Sequence, residues 1–409
     1  MKKLTALFLC CMAGIVPLSS CNGKEQVQSE ITVEISETVN SAEPSSSAEN
    51  NTSGNSTPSG GDTSQETAES KSETSNGILK LPVLQSESSA SSSSADEKKT
   101  EFPDHSDKSR NLISVTDQKS KHLYVLDLDD PDWSDEGSVL WDWTPTAELG
   151  FGGLISNYWL PSEVKLRYSE QYKSYVVLTT SSGGVCAMIE YPSGKMLWGV
   201  ANGGNNPHSI ELLPDGNIVV ASSGDNLRLY TASVKGAETQ YTEVKLEAAH
   251  AAQWNPENQR LYSVGYHYVA AYAIDKSGAK PKLVLDEANT AYQEWICGHD
   301  FTPVAGNHDL YWLAGSELWQ YSVSQNKIVE AYTGRDELVG NLKCISETYD
   351  NRIIRAMPDL SETDLEAYQT RYVSVTAKNS AGHYETVKRK LPNNMVAYKI
   401  RAFRPEYIY

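Results

Sequence analysis

The chain has 409 residues and carries 53 acidic against 35 basic side chains, a formal net charge of −18 with histidine neutral. That balance argues against a nucleic-acid partner, which needs a basic face, and past the N-terminus no run of 18 or more apolar residues offers a membrane-spanning helix. The chain is also too long for one ordinary core, so linkers and internal repeats are the first things to seek.

The first segment reads MKKLTALFLCCMAGIVPLSSC. Lys2 and Lys3 form a positive start, Leu4 to Val16 an apolar stretch too short to span a bilayer, and Leu18-Ser19-Ser20-Cys21 resembles a bacterial lipoprotein lipobox. The resemblance implies a signal peptide over residues 1–20, cleavage before Cys21, and lipid on that cysteine. The mature protein is then expected outside the cytoplasm, anchored to the cell membrane through Cys21 without spanning it.

Residues 21–108 are rich in Ser, Thr, Glu, Asn and Gly. Such a composition buries too little apolar surface to offset chain entropy, and predicts a disordered tether. Its one apolar island, Ile78 to Leu84, is too short to fold alone.

Residues 109–409 carry a repeat. NLISVTD, KHLYVLDL and SVLWDW read as three strands. VKLRYS, SYVVLTT, GVCAMIEY and KMLWGVA then read as four. NPHSIELLPDGNIVVASSGDNLRLY, from Asn206, supplies three more with two turns, and YTEVKLEA a fourth. Units beginning at His250 and His299 follow, and another after Asn341. Alternating apolar residues, β-branched enrichment and Gly/Asn/Asp/Pro turns favour strands throughout. A period of about 40–50 residues with four strands each is the pattern of a β-propeller blade. The first unit lacks its innermost strand, and AYKIRAF at Ala397 to Phe403 is left over at the other end. The expected fold is therefore all-β, a six-bladed β-propeller closed by pairing of the C-terminal strand with the first blade. Three cysteines remain in this region, Cys186, Cys297 and Cys344. With no CxxC spacing they read as buried free thiols, a Cys297–Cys344 bridge being the alternative.

NPHSIELLPDGNIVVAS, GHDFTPVAGNHDLYWL and the closing YKIRAF resemble a family of bacterial secreted six-bladed propellers, a domain of unknown function. The likeness covers most of Asn111 to Pro405. More distantly, HSIELLPDGNIVV is similar to a blade of the arylsulfotransferase-type propellers. Histidines on innermost strands are similar to those of the oligogalacturonate-lyase-type propellers, where they imply a bound divalent metal. Neither family's catalytic set maps onto this chain, and GxSxG, HExxH and nucleotide-binding motifs are missing from it.

Counting back from the second strand of each unit aligns Lys165, His208, His250, His299, Lys343 and Lys399 at the start of the innermost strands. Three lysines and three histidines at one mouth of a central channel suit an anion, because ammonium groups supply charge and imidazoles supply N–H donors. A second reading has His208, His250 and His299 converge on a divalent metal with positions left for water, as a metal-dependent polysaccharide lyase or hydrolase would need. A third leaves them as satisfied polar residues lining a channel in a protein-interaction scaffold. Loops expected on the same face bring Phe151, Tyr158 and Trp159 ahead of Lys165, Tyr266 and His267 on a turn, and Tyr292 and Trp295 ahead of His299. Aromatic faces beside polar groups suit sugars. The leading expectation is a site for an anionic or polyhydroxylated ligand, with an acidic glycan as the partner and Trp159 and Trp295 among the contacts.

Overall fold

The computed structural model describes residues 104–134, 138–338 and 340–409. The signal segment, Cys21 and the tether as far as residue 103 lie outside the described residues.

Six antiparallel sheets follow one another along the chain. The first contains β1 (Leu112–Asp117), β2 (His122–Asp127) and β3 (Val139–Trp143), and the second β4 (Pro161–Ser169), β5 (Ser174–Ser181), β6 (Cys186–Glu190) and β7 (Met196–Val200). The third holds β8 (Pro207–Leu212), β9 (Ile218–Ser222), β10 (Asn226–Tyr230) and β11 (Tyr241–Lys245). The fourth holds β12 (Gln253–Asn255), β13 (Arg260–Val264), β14 (Tyr268–Asp275), β15 (Lys282–Leu285) and a short β16 (Ala291–Tyr292). The fifth runs β17 (Asp300–Val304), β18 (Asn307–Ala314), β19 (Leu318–Ser322), β20 (Lys327–Val329). The sixth runs β21 (Cys344–Glu347), β22 (Ile353–Ala356), β23 (Tyr372–Lys378), β24 (Tyr384–Lys390). The last strand, β25 (Ala397–Ala402), returns to the first sheet and pairs with β1, Ile113 opposite Ala402 and Val115 opposite Ile400. The fold is a six-bladed β-propeller closed in the way the sequence predicts.

Burial follows position in the blade. β9, Ile-Val-Val-Ala-Ser, is buried at every residue because both of its faces are covered, whereas outermost β24 is largely exposed. Lys388, Arg389 and Lys390 on that outer strand discourage edge-to-edge pairing. Turns use the expected chemistry: in Pro214-Asp215-Gly216-Asn217, Gly216 takes φ +84°, a conformation glycine adopts without steric cost.

Apolar packing lies between blades. One cluster joins Trp141 and Trp143 of the first blade to Val164, Leu166 and Val177 of the second, and four more join each blade to the next as far as the sixth. The sixth cluster closes the ring, setting Ile354 and Val373 against Val115 and Ile400. Cys186, Cys297 and Cys344 are free and buried.

Two features go beyond the sequence reading. Chain between β15 and β17 folds back, so that Tyr292 pairs with Tyr268 and Ala291 with Val269. Residues 403–409 continue past β25 across the inner ends of the blades. The Phe403 N–H bonds Leu112 O at 2.8 Å, Tyr407 Oη donates to Leu212 O at 2.6 Å, Gln253 Nε2 donates to Tyr407 O at 2.8 Å, and the Gly306 N–H reaches Tyr409 O at 3.2 Å. We call this the lower end of the axis. The other end, where the innermost strands begin, is the upper mouth.

Candidate functional site

The innermost strands aim their polar residues at the axis, and these stack in layers. In the top layer His250, His299 and Lys343 occupy equivalent places: their backbone N–H groups bond to Val264 O, Ala314 O and Ala356 O, each at the end of its blade's second strand. His208 reaches the same layer from a β-bulge between Pro207 and Ser209. The His208 and His250 rings stack with centroids 4.4 Å apart at 12°. The His299 ring meets His250 edge-on, 4.8 Å away at 84°.

Hydrogen bonds assign the tautomers. Lys343 Nζ lies 2.8 Å from His299 Nε2. An ammonium only donates, so Nε2 accepts and the proton of a neutral His299 sits on Nδ1. His250 Nδ1 lies 2.7 Å from Ala248 O and therefore donates. His208 Nδ1 and His299 Nδ1 are buried with no hydrogen-bond partner. Burial pushes all three imidazoles toward the neutral form, and neighbouring Lys343 and Lys399 add to the effect. His250 is pushed down to about 4.

Beneath lies a charged layer. Lys399 Nζ donates to His208 O at 2.9 Å and to Glu163 Oε2 at 3.1 Å. Arg401 grips two carboxylates at once, Glu163 at 2.5 and 2.8 Å and Asp300 at 2.9 and 2.7 Å. Burial alone would raise the Glu163 pKa, but Arg401, Lys399 and Lys165 outweigh it and hold the carboxyl well below its usual range. Deeper still, Lys165 Nζ donates to Ala252 O at 2.6 Å and lies 3.6 Å from Glu211 Oε2. Burial pulls this ammonium down to about 8. Arg167 forks onto Glu211 at 2.8 and 2.9 Å, and its guanidinium covers the Tyr407 ring at 5.0 Å.

The structure thus brings His208, His250, His299, Lys343 and Lys399 together near the upper mouth, and sets Lys165 deeper. The cause is a second bulge, between Pro161 and Glu163. It gives the place matching His208 to Ser162, whose hydroxyl donates to Pro207 O at 2.6 Å. Trp159 and Trp295 stand on the loops of the upper face and are 45% and 57% exposed. Sequence reasoning missed Glu163, Arg167, Glu211, Asp300 and Arg401. The signal was present in β4, where Glu163, Lys165 and Arg167 alternate with apolar neighbours, and in β25, where Lys399 and Arg401 do the same.

No group of three or more His, Cys, Asp or Glu side chains among the described residues is arranged to hold a metal ion. Two stacked rings place their nitrogens side by side, and His299 Nε2 is engaged by Lys343.

Residues 76–333 match a family of unknown function, DUF6528. The chain belongs to that family. No curated protein matches it. Among solved structures it is similar to a protein of unknown function from Bacteroides caccae, with 12% identity over 72% of this chain and 99% of that one and a TM-score of 0.47. It is also similar to hydrazine synthase from Kuenenia stuttgartiensis, with 13% identity over 57% and 67% of the two chains and a TM-score of 0.39. A functionally unknown protein from Desulfotomaculum acetoxidans shares 14% identity over 68% and 79%, with a TM-score of 0.38.

Proposed function

We propose that the upper mouth of the propeller binds an anionic or polyhydroxylated ligand, with an acidic glycan meeting both descriptions, and that the protein displays this site outside the cell from a lipidated Cys21. One observation carries the binding reading: His208 Nδ1 and His299 Nδ1 are buried without partners in a layer that also holds Lys343 and has Lys399 just beneath. An unpaired buried polar atom costs about 1–3 kcal/mol. A ligand oxygen at the His299 N–H removes that cost, and the lysines favour a negative one.

The test is calorimetric titration of the protein with oligogalacturonate and oligoglucuronate, using sulfate and phosphate as inorganic controls. Saturable binding that weakens at least tenfold in a His208→Ala/His299→Ala variant of unchanged melting temperature supports the reading. Equal binding by variant and wild type, or no binding of any probe, overturns it. Stoichiometric zinc or manganese on the purified protein would instead favour metal-dependent cleavage of such a glycan.

The anchoring reading rests on Leu18-Ser19-Ser20-Cys21 behind a short apolar segment. Cys21→Ser is expected to abolish incorporation of a clickable palmitate analogue and to shift the protein out of the membrane fraction. Unchanged labelling and fractionation in that variant would remove Cys21 as the anchor.

A further inference from the structure

The fourth blade carries an aromatic group on the upper face that the axial layers do not use. Tyr266 and His267 come from the turn between β13 and β14, Tyr292 from β16, and Trp295 from the segment leading into β17. Tyr292 and Trp295 are each 57% exposed, although both belong to residue types that fold inward when they can. They are held in place. His267 stacks on Tyr292 at 5.6 Å and 25°, and Trp295 stands edge-on to Tyr266 at 5.5 Å and to His267 at 5.8 Å. The Trp295 N–H donates to His267 Nδ1 at 3.3 Å, and Ser316 Oγ donates to Trp295 O at 3.0 Å. Pairing of β16 with β14 fixes Tyr292 beside Tyr268.

Backbone strain accompanies this display. Trp295 has φ +61° and Cys297 φ +45°. A left-handed conformation is unfavourable for a bulky side chain and persists where surrounding contacts enforce it. Here it holds the indole outward while Ile296, its neighbour, is buried.

We infer that Tyr292 and Trp295 form a stacking platform for a pyranose ring of a glycan. Three arguments select this ligand class. Size comes first: two rings little more than half exposed offer roughly 250 Å², far below the about 800 Å² per partner of a stable protein interface, and enough for one or two sugar rings. Polar groups come second. His267 Nδ1 accepts from the Trp295 backbone, so a neutral His267 carries its proton on Nε2, while the Glu294 carboxylate lies at the indole, with Oε1 2.8 Å from Trp295 Nε1. A donor and an acceptor beside aromatic faces suit hydroxyls around an apolar ring face. Charge comes third: an acidic side chain in an acidic protein disfavours docking on an anionic lipid surface, for which amphipathic cationic faces are used. Trp295 and His299 are four residues apart, so their Cα atoms lie within about 14 Å. An oligosaccharide of two or three units spans that distance. Only this bridging contact rests on the reading of the axial mouth; the platform is tested with neutral sugars alone.

The experiment is fluorine NMR of the purified protein labelled with 5-fluorotryptophan. Trp295 is assigned through Trp295→Phe, and the titrants are neutral hexasaccharides of glucose (β-1,4 and β-1,3), xylose, mannose and N-acetylglucosamine. At least one is expected to shift the Trp295 resonance saturably. Tyr292→Ala and Trp295→Asn should weaken that ligand tenfold or more, with Trp295→Phe staying within about threefold. Asparagine tolerates the left-handed backbone at this position, so it removes the ring without added strain. Val387→Ala, an exposed apolar residue on the sixth blade, should leave affinity unchanged. No shift with any of the five sugars, or ring-deleted variants that bind as wild type does, overturns the platform. Retained oligogalacturonate binding in that case leaves the axial reading standing.

Discussion

At the scale of single residues, the axial histidines tie burial to protonation. Unfolded, His250 takes its proton near the ordinary value of 6.5; folded, only near 4. Between these values the unfolded chain binds more protons, so stability falls as pH drops through the window and is fully present above it. The difference corresponds to about 3 kcal/mol. His208 and His299 shift in the same direction. Urea unfolding followed from pH 7 to pH 4 is therefore expected to show a fall in stability, and His250→Gln should remove about 3 kcal/mol of that pH dependence. A variant whose profile parallels that of wild type would show that His250 titrates normally in the fold. Glu163 answers to different physics. Two cations touch its carboxylate directly, Arg401 and Lys399, so that charge pairing rather than desolvation decides its state.

At the scale of elements, the strand repeat and its closure could be read from sequence because both are periodic. Apolar alternation marks each strand, turns such as Pro214-Asp215-Gly216-Asn217 separate them, and the unpaired AYKIRAF had one edge left to join, that of β1. Bulges are less legible. An extra residue between Pro207 and Ser209 brings His208 into the top layer, and one between Pro161 and Glu163 displaces Lys165 from it. A bulge changes the count along a strand by one while leaving its apolar pattern nearly intact, so an alignment of strand starts drifts by a layer without warning. Long-range pairing was equally hidden. Glu163 and Arg401 are 238 residues apart, and local pattern says only that each is a charge at an apolar-spaced position. The short β16 was lost for another reason: two residues carry no periodicity.

At the scale of the whole molecule, the C-terminal segment makes the two ends of the axis unlike each other. Its residues lie against the inner ends of several blades: Phe403 in the core between the first and second, Tyr407 against the third and fourth, Ile408 against the fourth and fifth, and Arg404 donating to Glu347 O and Thr348 O of the sixth. Tyr407 alone satisfies Gln253, bonds Leu212 O and covers the Arg167 guanidinium. Ligands would then reach the axis from the upper mouth, and the lower layers serve as a fixed charged floor beneath the imidazoles. Deleting residues 404–409 takes these partners from Arg167, Gln253 and Leu212 together. At about 1 kcal/mol for each group left unpaired, the melting midpoint should fall by roughly 5–10 °C. Lys343 and the three histidines lie in the top layer, away from the segment, so affinity of the truncated chain for oligogalacturonate should stay within about threefold of wild type at 25 °C. An unchanged midpoint would show that the segment seals nothing. A tenfold loss of affinity with the propeller still folded would show that the layers act as one unit, with the floor setting the geometry of the mouth.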